Sequence, residues 1–418
     1  MKMMQFFVYC LFRAFGFCIG LLPYKVIHGL GRCTGTCAFY LHRPFRKKAM
    51  SNLAIAFGGT RNEEELREIA IKSFQNLMIT LLEFFRLKKS RGKLSEIVVL
   101  EQSSQIDALL KNKQGVIFLS AHQANWEIPF LALTDLYKGI AIGRPIKNQW
   151  LYKWVLSVRE MNGGKIVMPK AAIRAGIKAL SKGEFLGIVG DQAYPESPYS
   201  YPLFGTRAWT ASTPALLAYK TGCPLVAGST KRIDGRYHVS GSELIWPNLN
   251  VPLKDEVPRM MDAAMRHLET SIAEQPDQWM WVHDRWKQQG IDHVKRQYRF
   301  GFILIILPPN PSPFLKILPL FRAIYPRSFL TFLVPQGTSI PLENCSVKEY
   351  VSDEDLFIHD WRYQMVLDFY NSRELRRHFL KLGAFKALHL GKMKKNCPLH
   401  EAIKYKLVKS ECLTTVTF

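Results

Sequence analysis

The stretch 115-GVIFLSAHQANWE-127 joins an apolar run to a histidine and, five positions later, to a glutamate. Residues 116–119 are partly β-branched and follow a glycine, which predicts a short buried strand. The apolar residues that come after Glu127 recur at helical spacing. The stretch therefore predicts a strand, a turn that carries His122, and a helix that begins near Glu127.

The spacing of His122 and Glu127 leaves two interpretations open. Residues five apart on a helix point about 140° away from each other, so the two side chains meet only if His122 precedes the helix. A carboxylate beside an imidazole fixes its tautomer and stabilises the imidazolium that forms when the ring accepts a proton. The alternative is a surface histidine and a helical glutamate that never touch.

Composition points to an anionic partner. The chain has 418 residues, 48% of them hydrophobic, and a formal charge of +23 from 57 Lys and Arg against 34 Asp and Glu. Such an excess suits an anionic membrane, an acidic protein or nucleic acid. No zinc-finger spacing or aromatic RNA-binding signature supports nucleic acid. The eight cysteines show no paired C-x-x-C spacing, which favours a reduced compartment over a disulfide framework.

The N-terminal segment, residues 1–24, is strongly apolar and predicts a membrane-anchor helix. Its length is close to the roughly 20 residues that span a bilayer. Arg13 near its centre suits a helix that lies in the interface equally well, and a buried helix of a soluble protein is a third possibility. If the helix spans, the basic residues after it place the bulk of the chain in the cytoplasm.

Between residues 95 and 290, short apolar runs alternate with helical segments, which predicts an α/β sheet. The strand candidates are 98–100, 116–119, 140–142, 165–168, 186–189 and 225–227. His122, Arg144 and Asp191 each follow one of these runs, and open α/β sheets bind ligands beyond the carboxyl ends of their strands. Together they predict a site with a base, a cation and a carboxylate. Alone, each residue would more commonly serve a turn or a salt bridge.

Four ordered motifs carry a family resemblance: 120-SAHQANWE-127, 143-GRPIKN-148, Asp191-Gln192 with 218-AYKTGCPLV-226, and 276-PDQWMWVHDRWK-287. They resemble the late acyltransferases of lipid A biosynthesis, in the lysophospholipid acyltransferase superfamily, over about residues 1–290. The resemblance implies an acyltransferase-type mixed sheet flanked by helices, with an N-terminal membrane-anchor helix.

The implied activity is transfer of a fatty acyl chain from acyl-acyl carrier protein to a hydroxyl of a 3-hydroxyacyl chain on a phosphorylated lipid A precursor. In that mechanism His122 is the general base and Glu127 its partner, with no metal and no cofactor. The implied location is the inner membrane, with the catalytic domain facing the cytoplasm. The expected substrate-binding or oxyanion-stabilising residues are Arg144, Asp191, Asn125 and Asn148.

The C-terminal region, residues 300–418, has a strand-loop-helix-strand order that predicts a small Rossmann-like α/β region. It weakly resembles the N-terminal lobe of heptosyltransferase-type glycosyltransferases, but 308-PPNPSP-313 replaces their Gly-Asp turn. The region is too short for both lobes of such an enzyme, so we expect it to be non-catalytic. The predicted division is an anchor at 1–24, an acyltransferase domain at 25–295 and this region at 300–418.

Two other functions fit parts of the sequence. One is acylation of a glycerophospholipid or lysophospholipid, against which the motifs around Arg144 and Trp279 argue. The other is a non-catalytic, membrane-associated lipid-binding protein. The intact His122 and Glu127 argue against that second alternative.

Overall fold

The computed structural model describes residues 2–101, 104–288 and 298–389. Residues 289–295 and 390–418, which belong to the predicted second and third divisions, lie outside the described residues. We refer to residues 2–288 as the larger region and to residues 298–389 as the smaller region. Each of them contains its own main sheet.

Four helices open the larger region: α1 (Lys2–Leu21), α2 (Tyr24–Leu41), α3 (Arg43–Phe57) and α4 (Glu63–Glu83). The Asn62 side chain accepts from the Glu65 N–H, and the Glu65 side chain accepts from the Asn62 N–H, so a capping box starts α4. Helix α2 packs so closely on α4 at Gly35 that a Cβ atom there would lie 2.4 Å from the Gln75 Cα atom. These helices support one side of the site described below.

Helix α1 packs along the larger region over most of its length. Asn148 donates to the Gln5 carbonyl at 2.8 Å, and Arg86 and Lys89 both donate to the Gly20 carbonyl at the other end. Between these ends, rings at positions 6, 9, 12 and 15 of α1 contact the rings of Trp150, Trp154 and Phe85. The opposite face of α1 is exposed and apolar, and Met3–Leu21 is long and apolar enough to cross a membrane.

The main sheet of the larger region has seven strands in the order β1-β9-β8-β2-β5-β3-β4. Its neighbours pair in parallel except for the β8–β9 hairpin. The strands are β1 (Val98–Leu100), β2 (Val116–Ser120), β3 (Gly139–Ile142), β4 (Lys165–Val167), β5 (Phe185–Val189), β8 (Leu225–Ile233) and β9 (Arg236–Gly241); β6 (Ser200–Leu203) and β7 (Thr206–Trp209) form a separate hairpin.

The predicted mixed α/β sheet is confirmed, and each of the six strand candidates coincides with a strand. Strand β9 was missed, although Asp234-Gly235 is a strong hairpin signal. Both residues have positive φ, 49° and 80°, as a type I′ turn requires. The remaining helices of this region are α5 (Leu94–Ile97), α6 (Ser104–Lys111), α7 (Ile128–Leu136), α8 (Gln149–Arg159), α9 (Ala172–Leu180), α10 (Thr213–Thr221) and α11 (Leu253–Glu274).

The smaller region contains a fully parallel sheet in the order β12-β11-β10-β13-β14. The helix of the predicted strand-loop-helix-strand order is divided into two shorter helices. The elements are β10 (Phe302–Ile306), α12 (Ser312–Leu315), α13 (Leu318–Ile324), β11 (Phe329–Pro335), β12 (Ser346–Tyr350), β13 (Met365–Asp368), α14 (Arg373–Lys381) and β14 (Lys386–His389).

The smaller region docks on the larger one through the amino ends of its strands. Gln364, just before β13, accepts from the Gly301 N–H at 3.0 Å and contacts the Ser51 hydroxyl at 3.4 Å. Phe302, at the start of β10, belongs to the hydrophobic core of the larger region. A Cβ atom at Gly301 would lie 2.4 Å from the Trp286 carbonyl oxygen, so the two backbones are in close contact.

A half-buried lysine adds to this junction. The Lys47 ammonium group, on α3, donates to the carbonyl oxygens of Leu380 and Ala384 at 2.6 and 2.7 Å. Leu380 lies in the last turn of α14, and Ala384 lies just ahead of β14. The two regions are therefore joined by shared core packing and by polar contacts at the same edge of the smaller sheet.

Candidate active site

A histidine–aspartate pair lies at the carboxyl ends of the central strands. His122 follows β2, and Asp191 follows the neighbouring strand β5. The His122 Nδ1 atom lies 2.6 Å from one Asp191 oxygen, and the His122 backbone N–H donates to the other oxygen at 2.8 Å. Because adjacent parallel strands end at the same edge, residues 69 apart in sequence meet here.

Asp191 is buried and ionised. Burial opposes its ionisation, but the charge of His122 and hydrogen bonds from His122 and Trp279 hold the pKa of the Asp191 carboxyl well below its usual range. The Trp279 indole N–H donates to Asp191 at 2.7 Å. An ionised carboxylate only accepts hydrogen bonds, so the His122 Nδ1 atom carries a proton, and in the neutral ring the Nε2 atom can accept one.

The His122 Nε2 atom faces an open cleft of about 600 Å³. The Gln192 amide nitrogen, which also lines the cleft, lies 3.5 Å from this Nε2 atom. Glu127, Arg144 and Arg159 line the same cleft. The cleft therefore combines a base with two cations, and one of them, Arg159, is paired with a carboxylate.

Glu127 does not hold the position that the sequence suggested for it. It lies just before α7, and its carboxylate binds both Arg159 Nε, at 2.8 Å, and a terminal Arg159 nitrogen, at 2.5 Å. This two-point ion pair turns Glu127 toward the last turn of α8. The carboxylate on the His122 ring is that of Asp191, which corrects the predicted direct contact between Glu127 and His122.

Of the other predicted site residues, one lines the cleft and two contact the helices around it. Arg144 is exposed and lines the cleft. Asn125 is fully buried and donates to Glu83 at 2.8 Å. The Asn148 side chain caps the start of α8 and reaches the Gln5 carbonyl of α1. The structure thus brings His122, Asp191 and Arg144 together, and gives both asparagines contacts with supporting elements.

The turn between β2 and α7, residues 121–127, has a strained backbone. Ala124 has φ of +48°, in the left-handed region that alanine rarely adopts. Its carbonyl accepts from the Thr80 hydroxyl at 2.9 Å and from the Asn76 amide at 3.3 Å, and its N–H donates to the Gln278 carbonyl at 2.8 Å. Helix α4 and the segment around Gln278 therefore hold the turn that carries His122.

A buried glutamate extends this support. Glu83, also on α4, is 1% exposed and accepts from Asn125, His28 and the Tyr237 hydroxyl. Asn76, Thr80 and Glu83 recur at helical spacing and form one buried polar face. That polar stripe within the mostly apolar second half of α4 is a sequence signal that could have identified them.

Arg159 was also missed. It lies 32 positions from Glu127, at the end of an ordinary amphipathic helix, and no motif marks it. The pairing of Trp279 with Asp191 was equally invisible in sequence, although Trp279 belongs to the fourth motif. Both contacts depend on how distant segments pack.

An apolar cavity of about 100 Å³ adjoins the cleft. Trp126, Phe130 and Ile188 line both spaces. Gly187 and Gly228, on the sheet, add no side chain to the wall of the cavity. The site can therefore accept an apolar chain on one side of His122 and a polar, anionic group beside the arginines.

One family model and three known proteins point to the same subject. The family model for bacterial lipid A biosynthesis acyltransferases matches residues 1–288. Lipid A biosynthesis lauroyltransferase of Escherichia coli (strain K12) is 28% identical over 275 residues, covering 64% of this chain and 87% of that protein. Lipid A biosynthesis palmitoleoyltransferase of the same organism and lipid A biosynthesis acyltransferase of Shigella flexneri are each 28% identical over 283 residues, covering 65% of this chain and 88% of each protein.

Proposed function

The chain belongs to the bacterial lipid A biosynthesis acyltransferase family, and from this we propose that it transfers a fatty acyl chain from acyl-acyl carrier protein to a 3-hydroxyacyl hydroxyl of a phosphorylated lipid A precursor. The observation that carries the mechanism is the His122–Asp191 pair, whose free ring nitrogen faces the cleft. The accepting hydroxyl and the donor thioester would meet at that nitrogen.

His122 accepts the hydroxyl proton as general base, which contributes roughly 10²–10⁴ in rate. Asp191 keeps the proton of the neutral ring on Nδ1 and stabilises the imidazolium that forms. The resulting alkoxide attacks the thioester carbon, the carbonyl becomes an oxyanion, and the thiolate of the carrier leaves. His122 then gives up its proton to the departing sulfur, so the ring returns to its starting state.

The oxyanion needs a donor, and Arg144 is the candidate because its side chain lines the cleft. A backbone N–H at a helix start could serve instead. Loss of one such donor costs on the order of 3 kcal/mol of transition-state stabilisation. Glu127 has a supporting part in this scheme, because its ion pair holds Arg159 at the cleft wall.

Charge and shape support the choice of substrates. The formal charge of +23 favours an acidic carrier protein and a phosphorylated lipid. The apolar cavity beside His122 would receive the acyl chain. No cofactor enters this mechanism.

We place the protein at the inner membrane with its catalytic region on the cytoplasmic side. Members of this family act on a membrane lipid, and α1 offers an exposed apolar face. We further propose that the smaller region is Rossmann-like and non-catalytic, on the basis of its parallel strand order.

Replacement of the pair tests this mechanism. We expect His122→Ala and Asp191→Asn each to lower the transfer rate by roughly 10²–10⁴. The first variant lacks the base, and the second lacks the carboxylate that fixes the tautomer of the base. The measurement is mass spectrometry of lipid A precursors after incubation with a set of acyl-acyl carrier proteins, with a lysophospholipid as the competing acceptor.

A matched control is His238→Ala, which removes a histidine that also pairs with a carboxylate, Glu101 at 2.7 Å, but does not line the cleft. It should retain transfer. Wild-type turnover in His122→Ala would rule out the proposed base. Acylation of the lysophospholipid alone would rule out the proposed acceptor.

A further inference from the structure

One arginine of the smaller region reaches a loop of the active site. Arg327 lies between α13 and β11, at the docked edge of the smaller sheet. One of its terminal nitrogens donates to the Pro195 carbonyl at 2.8 Å and to the Ser197 carbonyl at 3.4 Å. Both carbonyls belong to residues 192–198, which we refer to as the cleft loop. The contact therefore crosses from one region to the other.

The Arg327 guanidinium also stacks on a ring of the larger region. Its central carbon lies 3.8 Å from the centre of the Trp209 ring. A planar guanidinium can stack on an aromatic face while it donates in its own plane, which an ammonium group cannot do. Trp209 in turn accepts from the Tyr194 N–H at 3.0 Å through its carbonyl. Arg327 thus contacts the cleft loop directly, and it also contacts Trp209 of β7, which binds the cleft loop through Tyr194.

The cleft loop leads straight to the reacting atoms. Gln192, Ala193 and Tyr194 line the cleft, and the Gln192 amide nitrogen is 3.5 Å from His122 Nε2. The larger region holds one end of the loop, because the Ala193 N–H donates to His283 Nε2 at 3.1 Å. Burial lowers the pKa of His283 to about 4, so its ring is neutral and able to accept. Arg327 holds the other end.

We propose that the smaller region serves as a built-in positioning element for acyl transfer, and that Arg327 is its positioning residue. By fixing the carbonyls of Pro195 and Ser197, it sets the cleft loop, and with it the place of Gln192 beside the base. This inference rests on the proposed function for its kinetic part only. The family match ends at residue 288, so the contact comes from a part of the chain beyond that match.

The test compares three full-length variants: Arg327→Ala, Arg327→Lys and, as a matched control, Arg377→Ala, an exposed arginine on α14. We expect Arg327→Ala to speed amide hydrogen exchange in residues 192–200 and to lower kcat/KM at least about 10-fold, because a displaced active-site group can cost up to roughly 10² in rate. Arg327→Lys should restore part of the exchange protection and part of kcat/KM, since lysine keeps the charge but lacks the planar guanidinium that stacks on Trp209. Arg377→Ala should match the wild type.

Each result decides a separate point. Unchanged exchange in residues 192–200 of Arg327→Ala overturns the proposal, whatever the turnover. Faster exchange with wild-type kcat/KM overturns its functional half, because Arg327 would then be structural only. A wild-type protein that transfers no acyl chain to lipid A precursors contradicts the proposed function instead, and hydrogen exchange still decides whether Arg327 holds the loop.

Discussion

Ala124 holds the base in place through a conformation that alanine rarely adopts. A left-handed backbone at a residue other than glycine costs about 1–3 kcal/mol and persists only where its surroundings impose it. Here the Thr80 hydroxyl and the Asn76 amide bind the Ala124 carbonyl from helix α4. The strain therefore lies two residues from His122, and α4 supplies the contacts that maintain it.

Thr80→Ala should weaken this support. We expect a loss of about 1–3 kcal/mol in unfolding free energy, because a buried carbonyl loses a partner, and a fall in kcat of about 10-fold from a displaced base. Thr80→Ser keeps the hydroxyl and should restore kcat. The measurements are chemical unfolding and steady-state kinetics.

The matched control is Thr270→Ala, whose hydroxyl binds a carbonyl of its own helix at the surface, at 3.0 Å. It should leave kcat unchanged. If Thr80→Ala is destabilised but its folded form turns over like the wild type, Thr80 does not position the base.

The sequence predicted which residues belong to the site better than it predicted which side chains they contact. His122, Arg144 and Asp191 could be found because each follows an apolar run, and parallel strands gather their carboxyl ends. Which carboxylate meets the histidine depends on the Ala124 backbone and on Arg159, and neither is visible in the spacing. Proximity in sequence favoured Glu127, whereas the fold brings in Asp191.

Helix α1 has one face packed on the larger region and an opposite face that is exposed and apolar. Its inner face contacts Asn148 near one end and Arg86 at the other, so nearly its whole length follows the larger region. Arg13, near the middle, lies 5.1 Å from the Trp154 ring centre. A spanning position would draw these polar groups into hydrocarbon, where a charge at the centre costs at least about 2.5 kcal/mol. We therefore expect α1 to lie in the head-group layer with its exposed apolar face toward the acyl chains.

Labelling from either side of a membrane tests this placement. In a chain whose native cysteines are replaced by alanine, we expect Lys2→Cys to react with an impermeant maleimide from the side that carries the catalytic region. The reference is Lys182→Cys, on an exposed turn before β5. Reaction of Lys2→Cys from the opposite side alone would show that α1 spans.

Elements were predictable where one signal dominated. Buried strands such as β2 and β5 are continuous apolar runs, and all of the predicted ones were found. Strand β12 is mostly exposed and carries charged residues, so its sequence resembles a loop. Length and apolarity identified α1, but only its packing against α8 separates a helix on the surface from one that stands away from it.

The two regions of the molecule come into close backbone contact where Gly301 of the smaller region meets Trp286 of the larger region. We expect Gly301→Ala to lower the free energy of unfolding by about 1–3 kcal/mol, because its methyl group would overlap the Trp286 carbonyl and force the two regions apart. Thermal unfolding of the full chain measures this effect.

Gly59→Ala is the matched control, since a Cβ atom there meets no atom of the described residues within 4 Å. Its stability should change by no more than about 0.5 kcal/mol. Equal stability of the two variants would mean that the regions separate at no cost.

The docked edge of the smaller sheet has a consequence for how this chain can diverge. Its contacts with the larger region lie at the amino ends of β10, β11, β13 and β14, while ligands of parallel sheets bind at the carboxyl ends. Substitutions at the free edge, such as those around Asn310 or Asn371, can accumulate without reaching the cleft. We expect substitutions at the docked edge to be constrained together with the active site, because Arg327 contacts the cleft loop from there. Duplicated copies of this gene would therefore be expected to drift apart at one edge of the small sheet and to stay alike at the other.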